Sequence, residues 1–495
     1  MKLWLKLLSL FFVLAFTLSV FVGCNGANTN DPSDTDYEDE TDDDEIDYFP
    51  EIDKKDYNDE LNLYVATENE RDFYVLDESN GSPMDEAVFS RMERIKRYLG
   101  IDMVLYSPTG YNWQTYAQVV GNSITNKDGT MDALIPMNYA QVTILVTEGY
   151  LTDWYDVEAV DLDADYWNLD AMEELELKGH CFFAIGDCII LNTYIIGFNK
   201  EMYDKYKDNP AFENKTFYQL VKDYEWTWEK IIEISSIVEH DRTGDGKSLD
   251  DTFGFSGNGW EYCTSIIQAC EIQILKMDES GKWKLSINDE VNYPKTQHMV
   301  ELLSEWFKSN SVYLAFKDRN WNSEPYVEIT SGRTLMSFGG TQYIEQWLDY
   351  NLDFGVLPYP MYDTNQKAYH SLQHSGLLAL PIYMTDPLMS AECMEMYSFY
   401  SEPVRITFYE KMLGKQVSDA PEDAEMLDII WDSLCLDIAE TFCQIESPYV
   451  PMLYAFSLTT DPDPSTGSET NLASLIAQRE TIVNKGIANL MESLK

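Results

Sequence analysis

The chain has 495 residues, enough for more than one buried core, and its 86 acidic residues against 34 basic ones leave a formal charge of −52. A field of that sign repels phosphate backbones and anionic headgroups, which excludes nucleic-acid binding and docking on lipid through basic patches. With 12 Trp and 33 Tyr, aromatic side chains are numerous enough to line a recognition surface as well as cores.

Lys2 and Lys6 flank an apolar run from Leu7 to Val22, followed by Gly23-Cys24. A charged start, a short apolar stretch and a small residue before a cysteine read as a secretory signal over residues 1–23. Phe21-Val22-Gly23-Cys24 matches a bacterial lipobox except that such signals usually carry Leu where Phe21 stands, so Cys24 is the expected lipidated residue. An uncleaved membrane anchor is the competing reading, disfavoured by the shortness of the run. Residues 24–58 contain "NGANTNDPSDTDYEDETDDDEID", with too few aliphatic side chains to offset the entropy of ordering, and are expected as an acidic disordered tether. The other cysteines are Cys181, Cys188, Cys263, Cys270, Cys393, Cys435 and Cys443. An odd number cannot all pair within one chain; a Cys181–Cys188 bridge across a hairpin fits the spacing, but no disulfide is assigned.

The body opens with a strand at Leu61–Ala66, a helix from Glu86 to Tyr98, a strand in "IDMVLYS", an amphipathic stretch from Trp113 to Ile124, a strand in "MDALIPMN" and a helix from Tyr139 to Trp154. Alternating strands and helices with apolar strand runs predict α/β layering around a parallel sheet. Ligands on such sheets bind beyond the carboxyl ends of the strands, which makes Asn138 and Tyr139 candidate contacts. The same grammar returns in the strand "CIILNTYIIGFN", the helix "YEWTWEKIIEISSIVEH", the strand "TFGF", the hairpin arm "GKWKLSIND", the helix "TQHMVELLSEWFKSN", the strand before Gly339-Gly340, and the strands "DFGVLPYP" and "HSGLLALP". From about Met389 the pattern is helical with loops. Trp226, Trp228, Trp306 and Trp347 lie at helix starts or at helical spacing among apolar residues and read as packing.

Four stretches carry a resemblance: "IIGFNKEMYDKY", "YEWTWEKIIEISSIVEHDRTGDGKSLDDTFGF", "SGRTLMSFGG" and "DFGVLPYPMYDTNQKAYHS". In this order they resemble the extracellular solute-binding lipoproteins of ABC importers, in the oligosaccharide-carrying branch (family 1 solute-binding proteins). The resemblance implies a two-lobed, periplasmic-binding-protein-like α/β fold with discontinuous lobes and a ligand cleft at the hinge. It places lobe one at 59–190, lobe two at 191–373, a return to lobe one at 374–410, and helices mainly on lobe two at 411–495. The expected protein is a monomer on the extracellular face of a bacterial membrane, held by its lipid anchor only, with a carbohydrate ligand and ABC permease subunits as partners.

Aromatic faces stack on pyranose rings while amides and carboxylates bond the hydroxyls. Besides Asn138 and Tyr139, the expected contacts are Trp260 after the Gly-rich turn, Thr341 and Gln342 after Gly339-Gly340, and His374 at the second crossing between lobes. Trp167, with Tyr166 and Asn168 in "DADYWNLD", is a further candidate. For Thr341 and Gln342 a helix-capping role competes.

The stretch "HDRTGDGKSLDDTFGF" starts like a calcium loop, with Asp241, Thr243 and Asp245 at alternate positions, Gly246, and the Lys247 carbonyl next. Its second half departs from the pattern, and Asp250 or Asp251 would reach an ion only across a one-residue insertion. Structural calcium and a plain Asp/Gly turn both remain open. No cofactor is required. Two rival classes stand beside the binder: a secreted glycoside hydrolase, and a sensor or adhesin lipoprotein of the same fold. The sequence contains no GxSxG, HExxH, SxxK or GxxxxGK[ST] motif, and carboxylates this abundant single out no catalytic pair.

Overall fold

The computed structural model describes residues 50–66, 71–76, 78–108, 113–137, 140–190, 192–238, 244, 250–257, 261–278, 283–314, 329–341, 344, 347, 350, 352–414, 421–442 and 472–494. Strand β1 (Asp59–Val65) lies between β2 (Ile101–Leu105) and β3 (Ala133–Ile135), and both pairings are parallel. The Pro83–Leu99 helix joins β1 to β2, and its ends are written locally. The Ser82 side chain accepts from the Asp85 N–H, Pro83 occupies the first turn with Asp85 and Glu86, and Lys96 and Arg97 lie in the last. Gly100 closes the helix at φ 69°, a left-handed value that glycine adopts without strain, and its N–H returns to Lys96 O.

Gly100 is also where the incoming chain passes: a Cβ there would come within 2.9 Å of the Asp56 backbone. Residues 50–58, expected as the end of the tether, are in fact docked on this corner. Lys55 and Tyr57 donate backbone N–H groups to Tyr98 O and Leu99 O, and Tyr98 Oη donates to Ile52 O. The Lys55 ammonium and the Tyr57 hydroxyl both bond Glu392 on the Pro387–Phe399 helix. Beside it, buried Arg91 donates to Ser401 Oγ and to the carbonyls of Phe73 and Tyr74, and its guanidinium lies 4.1 Å from the Tyr397 ring centroid.

The second sheet runs β10 (Phe354–Leu357), β4 (Tyr194–Asn199), β9 (Thr334–Gly340), β5 (Phe253–Gly257), β8 (Val312–Leu314). β9, β5 and β8 are mutually parallel, and β4 alone is reversed, pairing antiparallel with both neighbours. Trp347 covers adjacent strands at their glycines: a Cβ on either Gly197 or Gly339 would sit 2.5 Å from its ring. Trp228 is fully buried against Trp306, Phe338 and Tyr359, and the Trp226 indole N–H donates to Pro358 O. All four tryptophans read as packing residues are thus core. A hairpin of β6 (Leu275–Met277) and β7 (Trp283–Leu285) extends this lobe.

Segment 376–381, expected as a strand, forms isolated antiparallel bridges instead: Gly376 with Met137, Leu378 with Ala184, Ala379 with Leu134 and Pro381 with Leu151. It returns the chain to the first sheet. The helices that follow divide between lobes. Pro387–Phe399 and Glu402–Gly414 pack on Pro83–Leu99 of lobe one, whereas Pro421–Asp432 packs on β10 of lobe two. Cys181, Cys188, Cys270, Cys393 and Cys435 are free thiols, so the hairpin spacing of Cys181 and Cys188 closes no bridge. Both are buried, which pushes their thiols up to about 12 and leaves them unreactive. Among the described residues no helix is long and apolar enough to cross a membrane.

Candidate ligand-binding cleft

One strand of each lobe, β3 and β9, runs out at its carboxyl end onto the segments that join the lobes. β3 runs out into Met137, which bridges Gly376. β9 ends beside the start of β4, with Gly340 opposite Tyr194, and leads directly into Thr341. Among the described residues, three stretches of chain between the lobes bond one another. Thr193 bridges Gln373, and its Oγ1 donates to Leu372 O at 2.7 Å. The His374 N–H donates to Asn192 O at 2.7 Å. β11 (Ser371–Leu372) pairs with β12 (Leu434–Cys435), and the Leu436 N–H donates to Glu174 Oε2 of lobe one at 2.7 Å. Backbone groups bonded between crossing stretches, as at Thr193, His374 and Gln373, meet their hydrogen-bonding needs without water entering the hinge.

Thr341 lies on this hinge, and its role differs from a ligand contact presented on a turn. It is buried, its N–H donates to Thr193 O at 2.9 Å, and its Oγ1 accepts from the Thr193 N–H at 3.1 Å. The hydroxyl therefore pins the first crossing to the end of β9. His374 stands at the second crossing with 19% of its side chain exposed. Its Nδ1 is 3.6 Å from Glu440 Oε1, and its ring lies 5.2 Å from that of Tyr194. Glu440 comes from the short Ile438–Thr441 helix, whose start is capped by Asp437. The cluster thus joins an imidazole, a carboxylate and a phenol from three distant parts of the chain. Burial pushes the neighbouring Glu174 carboxyl above its ordinary range, against the pull of the Leu436 N–H.

Trp167 is placed elsewhere. It is buried within lobe one, its indole N–H donates to Glu395 Oε2 at 2.9 Å, and Tyr166 bonds the other oxygen of the same carboxylate. Its ring and its polar handle are both used in packing, so the expectation of a cleft contact gives way to a structural one. The remaining expected contacts, Asn138, Tyr139, Trp260 and Gln342, lie outside the described residues, as do Asp241, Thr243, Asp245, Lys247 and Cys24. Asp250 is described, on an exposed turn. Sequence reasoning missed Asn192, Tyr194 and Glu440. The first two carried a signal, a polar interruption of the apolar run "CIILNTYIIGF". Glu440 carried none, since only the fold brings it to His374.

No protein-family model and no curated protein sequence matches the chain. Solved structures do match along most of its length. An ABC substrate-binding protein from Listeria monocytogenes in complex with cycloalternan is 15% identical, covering 87% of this chain and 99% of that one, with a TM-score of 0.55. UgpB from Mycobacterium tuberculosis in complex with glycerophosphocholine is 13% identical over 86% and 99%, with a TM-score of 0.56. The maltose-binding periplasmic protein MalE from Listeria monocytogenes in complex with maltose is 11% identical over 88% and 98%, with a TM-score of 0.53. The chain therefore has the two-lobed α/β fold of solute-binding proteins.

Proposed function

We propose that this chain is the extracellular substrate-binding component of an ABC importer, capturing a carbohydrate, in the first instance an oligosaccharide, and delivering it intact to permease subunits. The observation that carries this reading is the convergence of strand ends from both lobes on a polar hinge, in a fold shared with proteins solved with cycloalternan and maltose. In α/β sheets that junction is where ligands bind. Ligand contacts made on both lobes favour the closed arrangement. Asn138, Tyr139, Trp260, Gln342 and His374 are the proposed contacts, with Glu440 and Tyr194 added as neighbours of His374. A lipid on Cys24 would hold the protein, as a monomer, at the outer face of the membrane. A structural calcium on Asp241, Thr243, Asp245, the Lys247 carbonyl and Asp250 would brace the helix-to-strand connection ahead of β5, without a part in capture.

The test is a thermal-shift screen of the chain from residue 50 against linear and cyclic oligosaccharides and glycerophosphodiesters, with the recovered ligand analysed for turnover. A sugar that raises the melting temperature and is recovered unchanged is expected. His374→Ala should then weaken that sugar about tenfold, the loss of one buried polar contact. Hydrolysis of the sugar, or stabilisation by glycerophosphodiesters alone, overturns the reading.

A further inference from the structure

The Leu472–Ser493 helix touches both lobes. Leu472, Ile476, Val483, Ile487 and Leu490 are buried at helical spacing and make one apolar stripe. The helix packs against Val142–Thr147 of lobe one and against β7 of lobe two. Each contact has a polar fastening. On lobe two, Asn288 Nδ2 donates to Glu480 Oε1 at 3.0 Å. On lobe one, Lys178 Nζ donates to the Met491 carbonyl and, at 3.2 Å, to the Leu494 carbonyl.

The lobe-one fastening is built rather than incidental. Lys178 and Gly179 hold φ values of 55° and 82° at the tip of a turn closed by mutual backbone bonds between Leu177 and His180. The ammonium is thereby presented to the helix's carboxyl end, where unpaired carbonyls and the negative end of the dipole favour a cation. Between the two fastenings the backbone is one continuous helix with no proline and a single glycine, Gly486. At 1.5 Å per residue the helix is a rod of about 33 Å.

We propose that this helix is a cross-lobe strap that sets the balance between open and closed arrangements. A rod fastened to both lobes cannot follow both when they rotate about the hinge. Rotation must slide it over one lobe, exchanging either the Asn288–Glu480 or the Lys178 fastening for water. The strap thus holds the lobes near the arrangement in which both fastenings are made. Apparent ligand affinity then scales with the fraction of molecules free to adopt the binding-competent arrangement. The strap acts on the hinge alone, whatever the ligand.

The experiment measures interlobe distances in the ligand-free, full-length protein by electron–electron resonance. Labels are attached through azido residues introduced in place of Lys96 on lobe one and Lys207 on lobe two, both at exposed positions, which leaves the native thiols untouched. Lys178→Met should broaden the distance distribution, and Lys178→Arg, which retains a donor and a charge, should return it toward wild type. If Lys178→Met does not fold, Asn288→Ala releases the other end from an exposed position and should give the same broadening. Distributions that coincide with wild type in every folded variant overturn the strap. Because no ligand is added, the outcome is independent of the sugar screen.

Discussion

Asp423 has no exposed side-chain surface, yet it lies 2.6 Å from Lys200 Nζ and accepts from Tyr218 Oη at 2.6 Å. Burial raises its carboxyl pKa, and the two donors only partly oppose that. Such a group is costly to desolvate but costlier to remove, because removal strands its partners. Asp423→Ala should therefore destabilise the protein by about 3 kcal/mol, read as a lower urea midpoint. Replacing the lysine as well should cost less than the sum of the two single changes. At Gly339 the constraint is purely steric. A methyl group there meets the buried Trp347 ring at 2.5 Å, so Gly339→Ala should cost about 1–3 kcal/mol. Gly339→Ala in a Trp347→Leu background should cost markedly less, and equal losses in the two backgrounds would place the strain elsewhere.

Strands and long helices were legible where a local signal agreed with the fold. Of the apolar residues spaced along the Pro83–Leu99 helix, Val88 and Ile95 are buried and Met92 is half-buried, and the apolar run after Thr193 forms β4. Legibility ended where partners are distant in sequence. "HSGLLALP" has a strand's composition, but it threads between lobes and finds only single bridges. Trp167 looked available because its loop is polar, and Glu395, more than two hundred residues on, claims its N–H. The tether's end was misplaced for the same reason: Lys55 and Tyr57 look like linker residues until Glu392 is brought beside them. That correction predicts a difference between truncations. A chain starting at residue 50 should melt like the full-length protein. One starting at residue 59 loses Ile52, Lys55 and Tyr57 from the corner of lobe one and should melt a few degrees lower, at roughly 2–4 °C per kcal/mol lost. Coincident melting curves would return 50–58 to the tether.

At the scale of the molecule the question is how so acidic a chain stays folded, and the buried carboxyls give a signed answer. Burial holds Asp132, Glu174, Asp187, Glu395 and Asp423 above the ordinary carboxylate range. A carboxyl whose folded pKa is raised contributes stability that is fully present below its unfolded value and lost as pH rises through the folded one. Others act in the opposite sense. Hydrogen bonds within their own turns overcome burial and hold Asp128, Asp289 and Asp363 low, and lysine partners do so for Glu213 and Asp223. Their contribution is present above the unfolded value and lost as pH falls through the folded one. Stability should therefore rise as pH is lowered toward the ordinary carboxylate range and fall again below about 4. Repulsion among surface charges, with the formal total at −52, works in the same direction over the first interval. Salt separates the two causes: exposed charges are screened beyond about 8 Å at physiological ionic strength, buried ones far less. Melting temperatures at pH 8 should climb as sodium chloride is added, and an advantage at pH 5.5 should survive at high salt. If that advantage disappears once the surface is screened, repulsion alone governs the pH response and the buried carboxyls contribute nothing to it.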